Sequence, residues 1–243
     1  MPVWAGWALA LLVIAVFCSL GGWQLDRARQ KQALLQTTAR VLGERRAQPL
    51  HTAEDVSQRR AYAWTAGEGR FVHAPAVLLD NQNRQGRPGV RVYRMFQPEG
   101  SQQPLLIELG WLPLPGDRTL PAIALPEGVQ RVRGLLAPPP SGGLARALAS
   151  RQPDGNVLAT ALDAPALPTL LGVRALPPRV LKLDPALPLG YARDLDILPN
   201  TLSPERHLGY AVQWFGLALA VLATALVVTW RTRRRGAGSR MRK

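Results

Sequence analysis

Two apolar runs, one near each end of the chain, bracket a middle in which hydrophobic and polar positions alternate in short bursts. Leu208 to Trp230 is 23 residues without a charged side chain, and at about 1.5 Å of rise per residue such a helix crosses the hydrocarbon core of a bilayer. Val3 to Leu25 is the second run, with Trp4, Trp7 and Trp23 towards its ends, where interfacial aromatics belong. It is longer than a signal-peptide core, almost no positive segment precedes it, and no A-x-A cleavage site follows, so an uncleaved anchor is expected. From Gln24 to about Leu42 the pattern holds good helix formers and no Gly or Pro, which extends the first helix beyond the membrane as a stalk.

Between the anchors, glycines and prolines cut the chain into short runs with strand character. The candidates are Ala61–Ala66, Gly69–Val72, Val77–Asp80, Val90–Phe96, Leu105–Trp111, Val129–Leu136, Val157–Thr160 and Val180–Leu183. NQNRQGRPG, PEGSQQP and PLPGD read as turns after the third, fourth and fifth of these. DAPALPTLLG, residues 163–172, offers an N-cap aspartate, a leucine cluster and a closing glycine, hence a short helix; Ala137 to Ser150 reads as a flexible surface loop. The expected architecture is a membrane protein. It has two transmembrane helices, 3–25 and 206–230, a juxtamembrane stalk over 26–46, a small, mostly antiparallel, barrel- or sandwich-like β-domain over 47–205, and a basic tail over 231–243.

Charge then gives the anchors a direction. Of the net +14, the tail from Arg231 holds seven bases and no acid, and Asp26 to Arg46 holds six bases against two acids. A nucleic-acid binder would carry its basic stripe on the folded domain with stacking aromatics, so that class is excluded; charge beside membrane spans is accounted for by topology and anionic lipid. The tail marks both termini as cytoplasmic and the middle as periplasmic in a bacterium, although Arg27, Arg29 and Lys31 run against that rule. One cysteine, Cys18, excludes disulfides within the chain and CxxC chemistry, and three widely spaced histidines show no zinc-site spacing.

Chemistry-bearing motifs are sparse. No nucleophile elbow, phosphate loop or dinucleotide fingerprint occurs, and Glu108 and Asp117 stand singly in or beside strands, with a solvated or salt-bridged role expected. The membrane-side residues differ. His207, Tyr210 and Trp214 fall at i, i+3 and i+7 on one helix face, with Ala211 as a small neighbour and Gln213 on a flank. On the first span Trp23, Arg27 and Lys31 repeat at i+4 with Gln24 beside them. If the spans are neighbours, an imidazole, aromatics, amides and cations converge at one membrane boundary, an environment suited to a haem. An ordinary aromatic belt supplies the same side chains, and an interfacial histidine also serves merely to cap a helix, so the residues alone leave both readings open.

A resemblance changes the balance. GGWQLDRARQKQALL (Gly21–Leu35), GRFVHAPAVLLDNQNRQGRPGVRVY (Gly69–Tyr93), LLIELGWLPLPGDR (Leu105–Arg118), VRGLL (Val132–Leu136) and HLGYAVQWFGLALA (His207–Ala220) resemble, in order, motifs of the Surfeit-locus/Shy family of cytochrome c oxidase assembly factors. The resemblance implies two membrane helices around a periplasmic domain and a part in building the haem a-containing oxidase subunit, not an enzymatic activity. It implies haem a as a transient cargo, with His207 as the iron ligand and Tyr210, Gln213, Trp214, Trp23, Gln24 and Arg27 around it. The implied partners are the membrane, the oxidase catalytic subunit and haem A synthase. Leu109 before Gly-Trp, VRVYRMFQP after the GRPG turn and Glu205-Arg206 before His207 depart from the family pattern. A haem-free scaffold for an oxidase intermediate and a membrane-anchored hydrolase are the alternative functions.

Overall fold

The computed structural model describes residues 3–140, 146–198 and 201–240; residues 141–145 of the expected loop and the last three of the basic tail lie outside the described residues. The chain divides into two compact units, residues 1–36 with 201–243, and residues 37–200.

The first unit contains most of α1 (Val3–Glu44) and all of α3 (Pro204–Arg240). Both are long and apolar enough to cross a membrane. At about 1.5 Å per residue, the 42 residues of α1 span roughly twice the hydrocarbon thickness, so its polar second half must project beyond it. α3 starts where Pro204 meets the demand for a residue whose missing N–H costs nothing in a first turn.

The second unit is a closed β-barrel with an extension. β1 (Ala63–Phe71), β5 (Gln130–Ala137), β8 (Val180–Leu183), β4 (Leu105–Pro113) and β3 (Arg87–Pro98) pair in that order, and a further β1–β3 pairing closes the ring. From β3 the sheet continues through β2 (Val77–Arg84), β7 (Val157–Ala159) and β6 (Ala149–Arg151). Pairings are antiparallel except β2–β7 and β4–β8. Alternation sorts the side chains into two cores. One fills the ring with Val92, Phe96, Ile107, Leu109, Val132, Leu136 and Leu181; the other lies on the outer face, where Leu79, Tyr93, Met95 and Leu106 meet β7 and α2 (Leu167–Leu170).

Closure depends on Gly69. Its register partners are Gln130 in β5 and Pro98 in β3, so β1 changes neighbours there. A Cβ at this position would lie 2.2 Å from the Gln97 carbonyl oxygen, with the Phe96 ring behind it. The obstacle is backbone, which cannot swing away as a side-chain tip can. Gly69→Ala should therefore destabilise the barrel by about 1–3 kcal/mol, seen as faster amide exchange in β1 and β3 of the full-length protein in detergent.

Several expected boundaries shift. The two segments expected over 61–66 and 69–72 are one strand, β1, because Gly67 and Gly69 sit inside a bending strand rather than between strands. The expected nine-residue turn is mostly strand: β2 and β3 run on to Arg84 and Arg87 around a two-residue turn, Gln85 and Gly86, both at positive φ, as a type I′ hairpin turn requires. Ala149 and Ser150, expected at the end of the flexible loop, form β6 with Arg151 and pair with β7. The link after the stalk contains two short 3-10 turns, Leu50–Glu54 and Val56–Gln58. α2 begins after Ala166, without a side-chain cap from Asp163.

Candidate functional site

In the helical unit, α1 and α3 run antiparallel. Gln24 meets His207, Phe17 meets Trp214 with ring centroids 5.6 Å apart, and the Trp7 indole donates to Thr229 Oγ1 at 2.9 Å, so rising numbers on α3 meet falling numbers on α1. The seam is made close by small residues: Gly21 and Ala28 on α1, Ala211 and Ala218 on α3 are all buried. Near its polar end the Lys31 ammonium donates to the Leu202 carbonyl, which ties the approach of α3 to α1.

His207 occupies this seam with 6% exposure. Its Nδ1 lies 2.7 Å from Gln24 Oε1. A carbonyl oxygen can only accept, so Nδ1 carries the proton, and in the neutral ring Nε2 then carries a free lone pair. That Nε2 is buried and has no hydrogen-bond partner. A buried polar atom left unmatched costs about 1–3 kcal/mol, which a ligand able to accept the lone pair would relieve. Donation from the other ring nitrogen is also how metal-binding imidazoles are oriented and made more basic.

The remaining expected residues are arranged by helical rotation. Tyr210 and Arg27 each lie three residues past the seam residue of their own helix, a displacement of about 60° in the same rotational sense. In an antiparallel pair, equal rotations of the same sense point to the same side. Tyr210 and Arg27 therefore share one flank, and Gln213 and Trp23 lie further round on it. Trp214 is nearly in the seam and half-buried. The opposite flank provides a check: Phe215 and Gly21 rotate the other way, and the Phe215 ring covers Gly21, where a Cβ would come within 2.8 Å of it.

Thus the structure brings Gln24 into direct contact with His207 and places Trp214 beside the seam. Trp23 (53% exposed), Tyr210 (42%), Gln213 and Arg27 stand outward on one flank, with Arg27 donating to Gln30 Oε1 at 3.2 Å. Lys31, the last member of the i+4 repeat, completes the polar end of the seam, whereas Phe17, at its other side, carries no signal in sequence beyond its spacing from Gln24.

This donor set fits a haem. The porphyrin supplies the equatorial nitrogens, so one imidazole suffices where a bare ion would need several ligands; among the described residues no group of three His, Cys, Asp or Glu side chains could hold a metal ion. Arg27 lies on the polar side of His207, where propionates would emerge, and Tyr210 and Trp214 on the membrane side.

The β-barrel unit contains a second polar cluster. Glu108, 2% exposed, accepts from the Arg91 guanidinium on one oxygen and from the Tyr93 hydroxyl at 3.0 Å on the other, and the Lys182 ammonium lies 3.7 Å away. Burial, with Glu108 adding to it, pushes the Tyr93 phenol well above its usual range. Burial also lowers the Lys182 pKa, against the pull of Glu108. Lys182 donates to the Asp196 carbonyl at 2.7 Å, and Arg91 lies 3.9 Å from Asp194. The cluster fastens the segment around residues 194–196 over the barrel's outer face. Glu108 is thus salt-bridged, as expected of a lone strand carboxylate.

A model of the SURF1 family matches residues 11–219, which include the whole barrel, α1 from residue 11 and the first sixteen residues of α3. The chain belongs to the SURF1 family. SURF1 proteins are generally oxidase assembly factors rather than catalysts, and membership carries membrane association and oxidase assembly to this chain at that level. The matched region contains His207 and Gln24 together with the flank they share. No curated protein matches the chain.

Proposed function

We propose that this protein carries haem a on His207 Nε2 and delivers it to the catalytic subunit of a haem-copper oxidase. The supporting observation is the histidine itself: seated in a helix seam, its tautomer set by Gln24, its second nitrogen unpartnered. When bound, haem would supply an iron able to take the His207 imidazole and two propionates able to take cationic partners. Gln24 holds the ring of His207, Arg27 meets the propionates, and Trp23, Tyr210, Gln213 and Trp214 offer aromatic and amide contact along the flank. Burial of Nε2 makes loading a gated step, since neighbouring side chains must shift before iron reaches it. A single protein ligand also suits a carrier, being strong enough to hold the cargo and weak enough to release it.

The seven bases of the tail support a topology with both termini cytoplasmic and the barrel periplasmic in a bacterium, and haem A synthase is the proposed donor. Co-expression with that synthase is expected to yield purified protein with a haem a spectrum. Protein free of haem, from cells that make haem a, would overturn the carrier reading in favour of a haem-free scaffold. Deleting the gene should lower both membrane haem a and cytochrome oxidase activity; normal levels of both would remove the assembly role.

A further inference from the structure

Along the deeper part of the same helix pair, beside the Trp7–Thr229 hydrogen bond, lies a groove of about 640 Å³, within the range of small-molecule sites. Its walls are mostly small or aliphatic, with Gly6, Ala10 and Val13 on α1 and Leu217, Ala220 and Val221 on α3, and the Trp7 indole, committed to Thr229, is the one aromatic side chain among them. Three threonines also line it. Their hydroxyls are already committed, Thr224 to Ala220, Thr229 to Ala225 and Thr232 to Val228, each donating to a carbonyl one turn back at 2.7–2.8 Å. The lining therefore offers shape and dispersion contact rather than polar recognition, and an aliphatic chain is the chemistry it takes.

Its position decides which chain. Ala220, Thr224 and Val228 lie on α3 at rotations of the same sense as Tyr210 and Gln213, and Leu222 and Leu226, on the other flank, are not part of the lining. The groove thus continues the His207 flank. Its outer end, at Leu217 and Val13, is ten and eleven residues from His207 and Gln24, about 15 Å deeper along the helices. A macrocycle held by His207 with its propionates towards Arg27 would turn its opposite edge towards Tyr210 and Trp214, the residues between His207 and the outer end of the groove. The farnesyl-bearing side of haem a is the side away from the propionates.

We infer that the groove lined by Gly6, Ala10, Val13, Leu217, Ala220 and Val221 holds the hydroxyethylfarnesyl tail shared by haems o and a, and so selects prenylated haem over haem b. The inference rests on His207 as the haem site. Lipid is as apolar as the groove, so selection comes from fit between tail and wall, not from removal of water.

The test compares haem o with haem b, titrated by absorbance into the full-length protein in detergent. Wild type should bind haem o at least about tenfold tighter, equivalent to about 1.4 kcal/mol. Ala220→Phe, which fills the groove, should bring the two affinities together while leaving haem b affinity and its spectrum unchanged. Ala223→Phe, the same bulk on an exposed position outside the lining, should retain the preference. Equal affinities in wild type, or a preference that survives Ala220→Phe, overturns the groove's role and leaves the ring site standing. Failure of both haems to bind overturns the ring site, and the tail site with it.

Discussion

Replacing Glu108 by alanine is expected to cost the barrel about 3–5 kcal/mol, the range for removing one partner of a buried ion pair. The carboxylate is the counter-charge for Arg91 and Lys182 and the acceptor for Tyr93, and all four side chains are nearly inaccessible. Its loss leaves two buried cations facing each other and a phenol without its acceptor. Glu108→Gln should cost less, because an amide oxygen still accepts from Tyr93. Urea unfolding of the full-length protein in detergent would measure both. The pH dependence gives a second check. Lys182 has a folded pKa already lowered by burial, so between that value and the ordinary lysine range the folded state binds fewer protons than the unfolded state, and stability rises with pH. Without Glu108 the folded pKa falls further, so Glu108→Ala should regain part of its deficit as pH rises. A deficit independent of pH would mean that the loss is one of packing and not of charge.

Legibility in the sequence follows the range of the forces involved. The anchors were readable because a long uncharged run has one physical solution in lipid. β3, β4, β5 and β8 were readable because most of their residues are buried, between the ring and the outer core, which leaves short apolar or alternating runs bounded by turn residues. β6 was not: its three residues are only partly covered, and its identity as a strand comes from pairing with β7, a partner that adjacent residues do not announce. Gly67 and Gly69 looked like punctuation because glycine usually ends strands. In a closed barrel, glycine marks the corner where a strand bends or changes neighbours.

The site divides in the same way. Helical spacing put His207, Ala211 and Trp214 near one line, and Gln24 close to Trp23. Spacing within each helix cannot say which residues meet across a seam, so the bond that fixes the imidazole had no signature. Antiparallel packing also separates two roles that looked alike in sequence. Gln24 lies in the seam and controls the histidine, whereas Tyr210, Gln213, Trp23 and Arg27 line the flank that the histidine serves.

His207→Ala is expected to lose co-purified haem a almost completely, with binding weakened more than about 100-fold, since even an orienting partner of a metal ligand is commonly worth 10–100-fold. The same substitution leaves Gln24 buried opposite a void, so a fall in haem could come from a damaged helix pair. Two further measurements separate these causes. Free imidazole added to His207→Ala should restore a haem spectrum if the cavity is intact. Gln24→Leu removes the acceptor of the Nδ1 proton while keeping an apolar seam, so the helix pair should persist at a cost of about 1–3 kcal/mol for the unmatched N–H while haem affinity falls by about 10–100-fold. A purely structural histidine predicts the opposite: no rescue by imidazole, and no change in haem on Gln24→Leu. Equal haem in wild type and His207→Ala would remove this residue as the ligand. The unpartnered Nε2 would then be a cost that the seam bears for packing alone, an outcome its placement beside a cationic and aromatic flank argues against.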